Sequence, residues 1–356
     1  MIIPIRIPAV RGRQADREYF VVIIPLGLIP KLFYYNEELL PPELRSQRAL
    51  NEKRIPEIAD YILENDDWVF SSLTATVMGE MEFVSCSEET PDLGMLNIDM
   101  NATIIINDGQ HRRAGILEAM KQDPDLANET ISVVLHRFES INRSNQMFAD
   151  LNRYAEKPSK SLNLLYDTRD PLSGAVNRML EQIEFFDVYT ERERTSLPPR
   201  SPRLFTLSSL YEANRRLLRM TKRKLREFSD NEVQTMVEFW QGVYEHMPLW
   251  GMVHRGELRP RDLREQYICS HSVSVQAIGV VGSYLLDEPD WRECLGGLER
   301  IDWSRENEDW MGIAILDNGR VVNSNTALNL TSLYIRKELG LPLSASDQNK
   351  LARVSR

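Results

Sequence analysis

Asp108-Gly109-Gln110-His111-Arg112, followed by Arg113, brings an acid, a turn residue, an amide, an imidazole and two guanidinium groups into six positions. The apolar run Thr103-Ile104-Ile105-Ile106 before it reads as a buried strand, with Asn107-Asp108-Gly109 as its exit turn. Ala114, Leu117 and Met120 after it recur at helical spacing. The motif is therefore expected at a strand-to-helix corner, where first-turn N–H groups are unpaired and the helix dipole is positive. Donor and cationic side chains on such a turn build an anion site, above all for phosphate. On this reading Gly109 and Gln110 cradle the phosphate together with Arg112 and Arg113. Asp108 and His111 are the catalytic candidates, Asp108 by holding Mg²⁺ or orienting a water. Asn152, at the end of a later helix, is a further candidate for the same pocket. The competing reading is a solvated corner in which Asp108 forms an Asx turn and the arginines pair with carboxylates.

A second constellation lies downstream. Between Arg192 and Arg226 eleven basic residues face only Glu193 and Glu212, a local charge of +9 in a chain whose net charge is −10. That density suits a polyanion-binding face, although a solvated helix side would look the same. Ser196 to Arg203 is a proline-stiffened basic loop, and the helix predicted over 205–226 would put Arg215, Arg219 and Lys222 on one face. Arg200, Arg203, Arg215, Arg219, Lys222 and Arg223 are the DNA-contact candidates.

These sites need a scaffold. The 356 residues suffice for two domains, and 42% hydrophobic with 27% charged content is ordinary for a globular protein. No apolar run approaches a membrane span, and the start lacks the features of a signal peptide, so a cytoplasmic location is expected. Three cysteines imply no disulfide framework, and Cys269-Ser270-His271 is too sparse for a metal site. Tyr19–Ile24, Phe70–Val77, 95–100, 102–106 and Ile131–Leu135 read as strands, with 95–100 and 102–106 expected to pair as a hairpin. Glu80–Asp92 reads as a loop, and Arg54–Leu63 and Ser144–Leu151 as helices. The corner is expected near the centre of the sheet. From about residue 160 helical periodicity takes over: 172–186, 205–226, 230–246, 272–286 and 324–339, with Asp230 as an N-cap and Gly340 as a stop. The expected fold class is α+β: a mixed-sheet domain over 1–155, then an α-helical domain over 156–356.

Asp108-Gly109-Gln110-His111-Arg112 resembles the DGQHR signature of the DndB family, found with bacterial DNA phosphorothioation systems. Arg48–Ile62, Phe148–Asn152 with Lys157 and Ser161-Leu162, Ile301-Asp302-Trp303 with Trp310, and Leu339–Ser344 resemble further segments of that family, so the likeness spans nearly the whole chain. It implies a ParB/sulfiredoxin-like first domain, whose relatives place such a turn on nucleotide phosphates. Sulfiredoxins carry Gly-Cys-His-Arg; here Gln110 replaces the nucleophilic Cys, and an amide cannot attack a sulfinate derivative. The resemblance implies a DNA-binding negative regulator of its own modification gene cluster, holding double-stranded promoter DNA. A repressor on a palindromic site would ordinarily be a homodimer, but the sequence does not give the oligomeric state. The alternative is an NTP-hydrolysing enzyme of the same system, an ATPase or a nucleotide-gated nickase using ATP or another NTP with Mg²⁺. A third reading is an interaction protein that docks on the sulfur-modification enzymes.

Overall fold

The computed structural model describes residues 4–33, 51–153, 158–220 and 227–354. The chain divides into two compact units, Met1–Glu156 and Lys157–Arg356. Lys222, Arg223 and the rest of the basic run to Arg226 lie outside the described residues, as do the connection over 34–50 and Lys157.

The first unit is built on a seven-stranded mixed sheet in the order β4-β5-β1-β2-β7-β3-β6. Its strands are β1 (Ile5–Gln14), β2 (Arg17–Pro25), β3 (Leu73–Met78), β4 (Met81–Ser85), β5 (Leu93–Ile98), β6 (Thr103–Asp108) and β7 (Thr130–Arg137). Every pairing is antiparallel except β3 with β7. Along β2, Phe20, Val22 and Ile24 alternate into the core, the period-two pattern of a strand with one buried face. In β6, Ile104, Ile105 and Ile106 are all buried. Ile104 and Ile106 join the main core, whereas Ile105 packs with Met78 and Ile141 on the opposite face.

Three expectations fail here. The segments read as a hairpin do not pair: β5 lies between β1 and β4, while β6 pairs with β3 at the far edge. Alternation signals a strand but not its neighbour, and β1 supplies β5 with a six-residue antiparallel partner, Ile5–Val10 against Leu93–Ile98. The corner therefore follows an edge strand and not a central one. Residues 80–92, read as a loop, contain β4, which is mostly exposed and so lacks a strong apolar signal.

Among the described residues, short helices accompany the sheet: α1 (Ile29–Leu32), α2 (Arg54–Leu63), α3 (Gln110–Gln122) and α4 (Ile141–Arg153). Helices α2 and α3 pack closely at Gly115, where an added Cβ would come within 2.5 Å of Ile58 Cβ.

The described residues of the second unit are mainly helical, with a two-residue pairing of Thr190–Glu191 with Phe205–Thr206 and a few isolated bridges. Its core gathers Phe185, Phe186, Phe205, Phe239, Trp240 and Trp250. Trp291, Trp303 and Trp310 are buried in the same core, and Trp303 stacks on Trp310. The helix predicted over 205–226 ends early, at Leu217. Ser229, and not Asp230, caps the helix Asp230–Glu245, in a capping box with Glu232. Gly340, at φ 76°, does stop the helix Asn325–Glu338: its N–H and that of Leu341 return to Lys337 and Arg336. No helix among the described residues is long and apolar enough to cross a membrane.

Candidate functional site: the DGQHR corner and the arginine arm

Strand β6 runs two residues beyond its apolar core, through Asn107 to Asp108. The register shifts here, with Ala75 opposite Ile106 but Thr74 opposite Asp108, so Asn107 has no partner on β3. This is a bulge, a device that re-aims side chains beside functional turns. Asn107 is fully buried; its Oδ1 accepts from Thr76 Oγ1 at 2.7 Å and its Nδ2 donates to Ser144 Oγ at 3.1 Å. It ties β3, β6 and α4 together immediately before the motif. Sequence reasoning placed Asn107 in a turn and missed this role; the available signal was a polar residue ending an otherwise wholly apolar strand.

Gly109 then turns the chain at φ 100° and becomes the N-cap of α3 without a side-chain cap. Only glycine fits both demands, since a Cβ would also sit 2.3 Å from Leu73 Cδ2. The first helical bond runs from the Arg113 N–H to the Gly109 carbonyl at 2.9 Å, which leaves the preceding first-turn N–H groups uncapped by any side chain.

The motif side chains are directed into the corner's own framework. Gln110 Nε2 donates back to the Ile106 carbonyl at 3.2 Å. His111 Nε2 accepts the Asn51 N–H at 3.0 Å. Burial, and secondarily the nearby Arg54 guanidinium, lowers the His111 pKa from its ordinary value, so the ring is neutral near pH 7. Arg112 Nη2 pairs with Asp108 at 2.6 Å, and its Nη1 donates to the Ser71 hydroxyl and carbonyl and to the Ser72 carbonyl at 2.5, 2.5 and 3.0 Å. Arg113 lies half-buried on the next position. Asn152 falls within α4, one residue before its end, and its side chain lies outside the described residues. The structure thus brings Asp108, Gly109, Gln110, His111 and Arg112 together as a closed knot between β6, α3, the lead-in to β3 and the start of α2.

In the second unit the basic run is less bare than its sequence suggests. Glu212 gathers Lys160 at 2.6 Å and Arg215 and Arg216 at 2.8 Å each. Burial pushes the Glu212 carboxyl upward, but the hydrogen bonds and charges of Lys160 and Arg215 outweigh it and hold the pKa at about 2. Arg192 pairs with Asp187, and Arg203 donates to the Val188 carbonyl. Arg219 is not on the helix face: it sits at φ 53° beyond the C-cap Leu218, pairing with Asp287 and donating to the Ser283 carbonyl. Those partners are remote in sequence, which is why a local count of charges misses them.

What stays open is the arm. The Arg194 and Arg200 guanidiniums are exposed and pair with no carboxylate among the described residues, although the Arg194 main-chain N–H donates to Glu191. Arg264 holds the arm from beneath, donating to the carbonyls of Pro198, Pro199, Ser201 and Arg203. Arg264 was not among the sequence candidates, since nothing local distinguishes it from a surface arginine.

Residues 7–342 match the family model described as DndB: DNA-sulfur modification-associated. No curated protein and no solved structure matches the chain. A match spanning nearly every element described above, with the knotted corner and the arginine arm both inside it, establishes that the chain belongs to the DndB family.

Proposed function

We propose that the protein is a DNA-binding negative transcriptional regulator of a DNA-sulfur modification gene cluster, holding double-stranded promoter DNA through the arm at Arg194 to Arg203. Family membership supports the biological setting. The observation that carries the binding role is the pair Arg194 and Arg200, whose guanidiniums are exposed and without carboxylate partners among the described residues, one just before and one within a proline-stiffened loop fixed by Arg264. A rigid loop loses little conformational entropy on meeting a phosphate backbone, and guanidinium groups suit phosphate geometry. Arg215, Arg216 and Arg219 would add to the long-range field, but their carboxylates must be displaced before they bind phosphate directly. The test is a gel shift on the upstream DNA of its own operon across a salt series. Replacing both Arg194 and Arg200 by Ala should weaken binding and lower the slope of log K against log salt by about two. Absence of binding at low salt, or an unchanged slope, would overturn the proposal.

A second reading is supported by the uncapped first turn of α3: a nucleotide phosphate held at the corner, with hydrolysis or regulation following. On that reading Arg112 exchanges Asp108 for phosphate, freeing the carboxylate to orient Mg²⁺ or water. Calorimetric titration of the full chain with Mg²⁺–ATP, repeated on Arg112→Ala, decides it; no heat with the native chain ends it.

A further inference from the structure

A cavity of about 290 Å³ opens in the first unit where β2 begins, β7 ends and α4 starts. His136, Phe138, Arg143 and Met147 line it, together with two carboxylates, Glu18 and Glu139. Strand β7 runs parallel to β3 with His136 beside Thr76, whereas Asp108 lies opposite Thr74. The cavity therefore sits toward the end of β3 and the DGQHR corner toward its beginning.

Most of the charge around the cavity is already matched. Glu18 pairs with Arg11 at 3.4 Å, and Glu139 with Arg17 at 2.7 Å. Arg137 donates to the Met81 carbonyl and lies over the Phe20 ring. Arg143 is the exception. Its main-chain N–H is capped by Ser140 Oγ at 3.1 Å, but its guanidinium makes no hydrogen bond and no ion pair among the described residues. Its Nε is sealed from solvent, whereas the two Nη nitrogens are not, so their N–H groups remain open to a guest. A half-buried guanidinium without an acceptor is costly.

His136 is a second, separate sign. Its ring packs on Tyr19 with centroids 6.0 Å apart, and neither ring nitrogen is hydrogen-bonded or sealed off among the described residues. Burial first, and then the Arg143 charge, lowers its pKa, so near pH 7 the neutral ring offers one N–H. Two side chains of one cavity thus want an acceptor, and charge selects its kind. Arg17 and Arg137 also line the space, and three arginines against two carboxylates leave one positive charge. A carboxylate brings one negative charge and two oxygens, the match of a guanidinium fork. A phosphate dianion would overshoot that charge beside Glu18 and Glu139. Phe138 and Met147 offer apolar lining to the rest of such an acid.

We propose that this cavity binds a small organic monoanion, a carboxylate with an apolar body, and that Arg143 is its counter-ion. The site does not depend on either reading of the function above.

The test is a titration of the full chain followed through the ring signals of its five histidines, with benzoate replacing chloride at constant ionic strength and His136→Gln assigning the signal. Benzoate should shift the His136 signal saturably, with a Kd of about 1 mM. It should also raise the pH at which that ring titrates, because a negative neighbour favours imidazolium. Acetate, which lacks the apolar body, should bind about tenfold more weakly, and benzamide, which lacks the charge, should not bind. Arg143→Gln should raise the His136 titration point without any ligand, since the arginine lowers it, and should abolish the benzoate response. Arg143→Lys should keep that response, weakened about tenfold. Unmoved signals from the other histidines show that the variants are folded. The proposal is overturned by a native chain whose His136 ignores benzoate, or by a response that Arg143→Gln leaves unchanged. Benzamide or acetate binding as tightly as benzoate, or phosphate binding more tightly, overturns it as well.

Discussion

Gly109 and Glu212 show how differently single residues can matter in this chain. At Gly109 both a positive φ and a close approach to Leu73 exclude a side chain. Gly109→Ala should therefore destabilise the protein by about 2–3 kcal/mol, measured as a lowered denaturation midpoint. An unchanged midpoint would show that the corner is not held as described. Glu212 acts through charge, as the shared counter-ion of Lys160, Arg215 and Arg216. Glu212→Gln takes the shared carboxylate from two half-buried guanidiniums, Arg215 and Arg216, and from the exposed Lys160, and should cost about 2 kcal/mol in denaturant titrations. The same variant should bind DNA with a steeper salt dependence, since the released cations become available to phosphates. A stability loss with an unaltered salt slope would mean that this cluster faces no nucleic acid.

Among the elements, the end of the helix Leu207–Leu217 is the most instructive. Met220 N–H bonds to the Arg215 carbonyl and Arg219 N–H to the Arg216 carbonyl, the paired pattern of a helix stop in which Arg219 occupies the place usually taken by glycine. The left-handed backbone costs an arginine about 1 kcal/mol, partly offset by its exposed ion pair with Asp287. Arg219→Gly should thus leave stability unchanged or raise it by up to about 1 kcal/mol, whereas Arg219→Ala should lower it. Had the helix continued through this residue, the glycine variant would destabilise by a similar amount, so the sign of the change in denaturant midpoint reads the geometry directly. Elsewhere the edge position of β6 has a consequence for the motif. With only β3 beside it, the end of β6 is held by Asn107 and by Arg112 gripping the carbonyls of Ser71 and Ser72.

Taken as a whole, the molecule carries a shared response to acid. Burial is the leading cause lowering the pKa values of His111, His136 and His271 from 6.5; nearby arginines add to it in all three, although at His271 a main-chain hydrogen bond opposes it more strongly than they do. A histidine whose folded pKa lies below its unfolded value contributes stability that is complete above the unfolded pKa. That contribution is lost as pH falls below 6.5 toward the folded value, because the unfolded chain takes up the proton first. The unfolding temperature should therefore fall between about pH 7.5 and about pH 5.5, where ordinary carboxylates remain ionised. His271→Gln, at the most enclosed of the three, should flatten part of that fall. A profile as steep as that of the native chain would assign the effect elsewhere.

Much was legible from residue order alone. The mixed α/β class, most strands, the Arg54–Leu63 helix and the family follow from patterns that are local: side-chain period, turn residues and a five-residue signature. The strand-to-helix corner at Gly109 belongs with them, because an apolar run, a glycine and a helical stripe are adjacent in sequence. Partnership was decided only by the tertiary structure. Strand β5 lies beside β1, Asp287 pairs with Arg219 and Lys160 with Glu212 across more than fifty residues, and Arg264 reaches more than sixty residues back to brace the arm. Period and propensity act over a few residues, whereas strand neighbours and counter-ions are chosen by whichever distant group completes burial and hydrogen bonding at the lowest free energy.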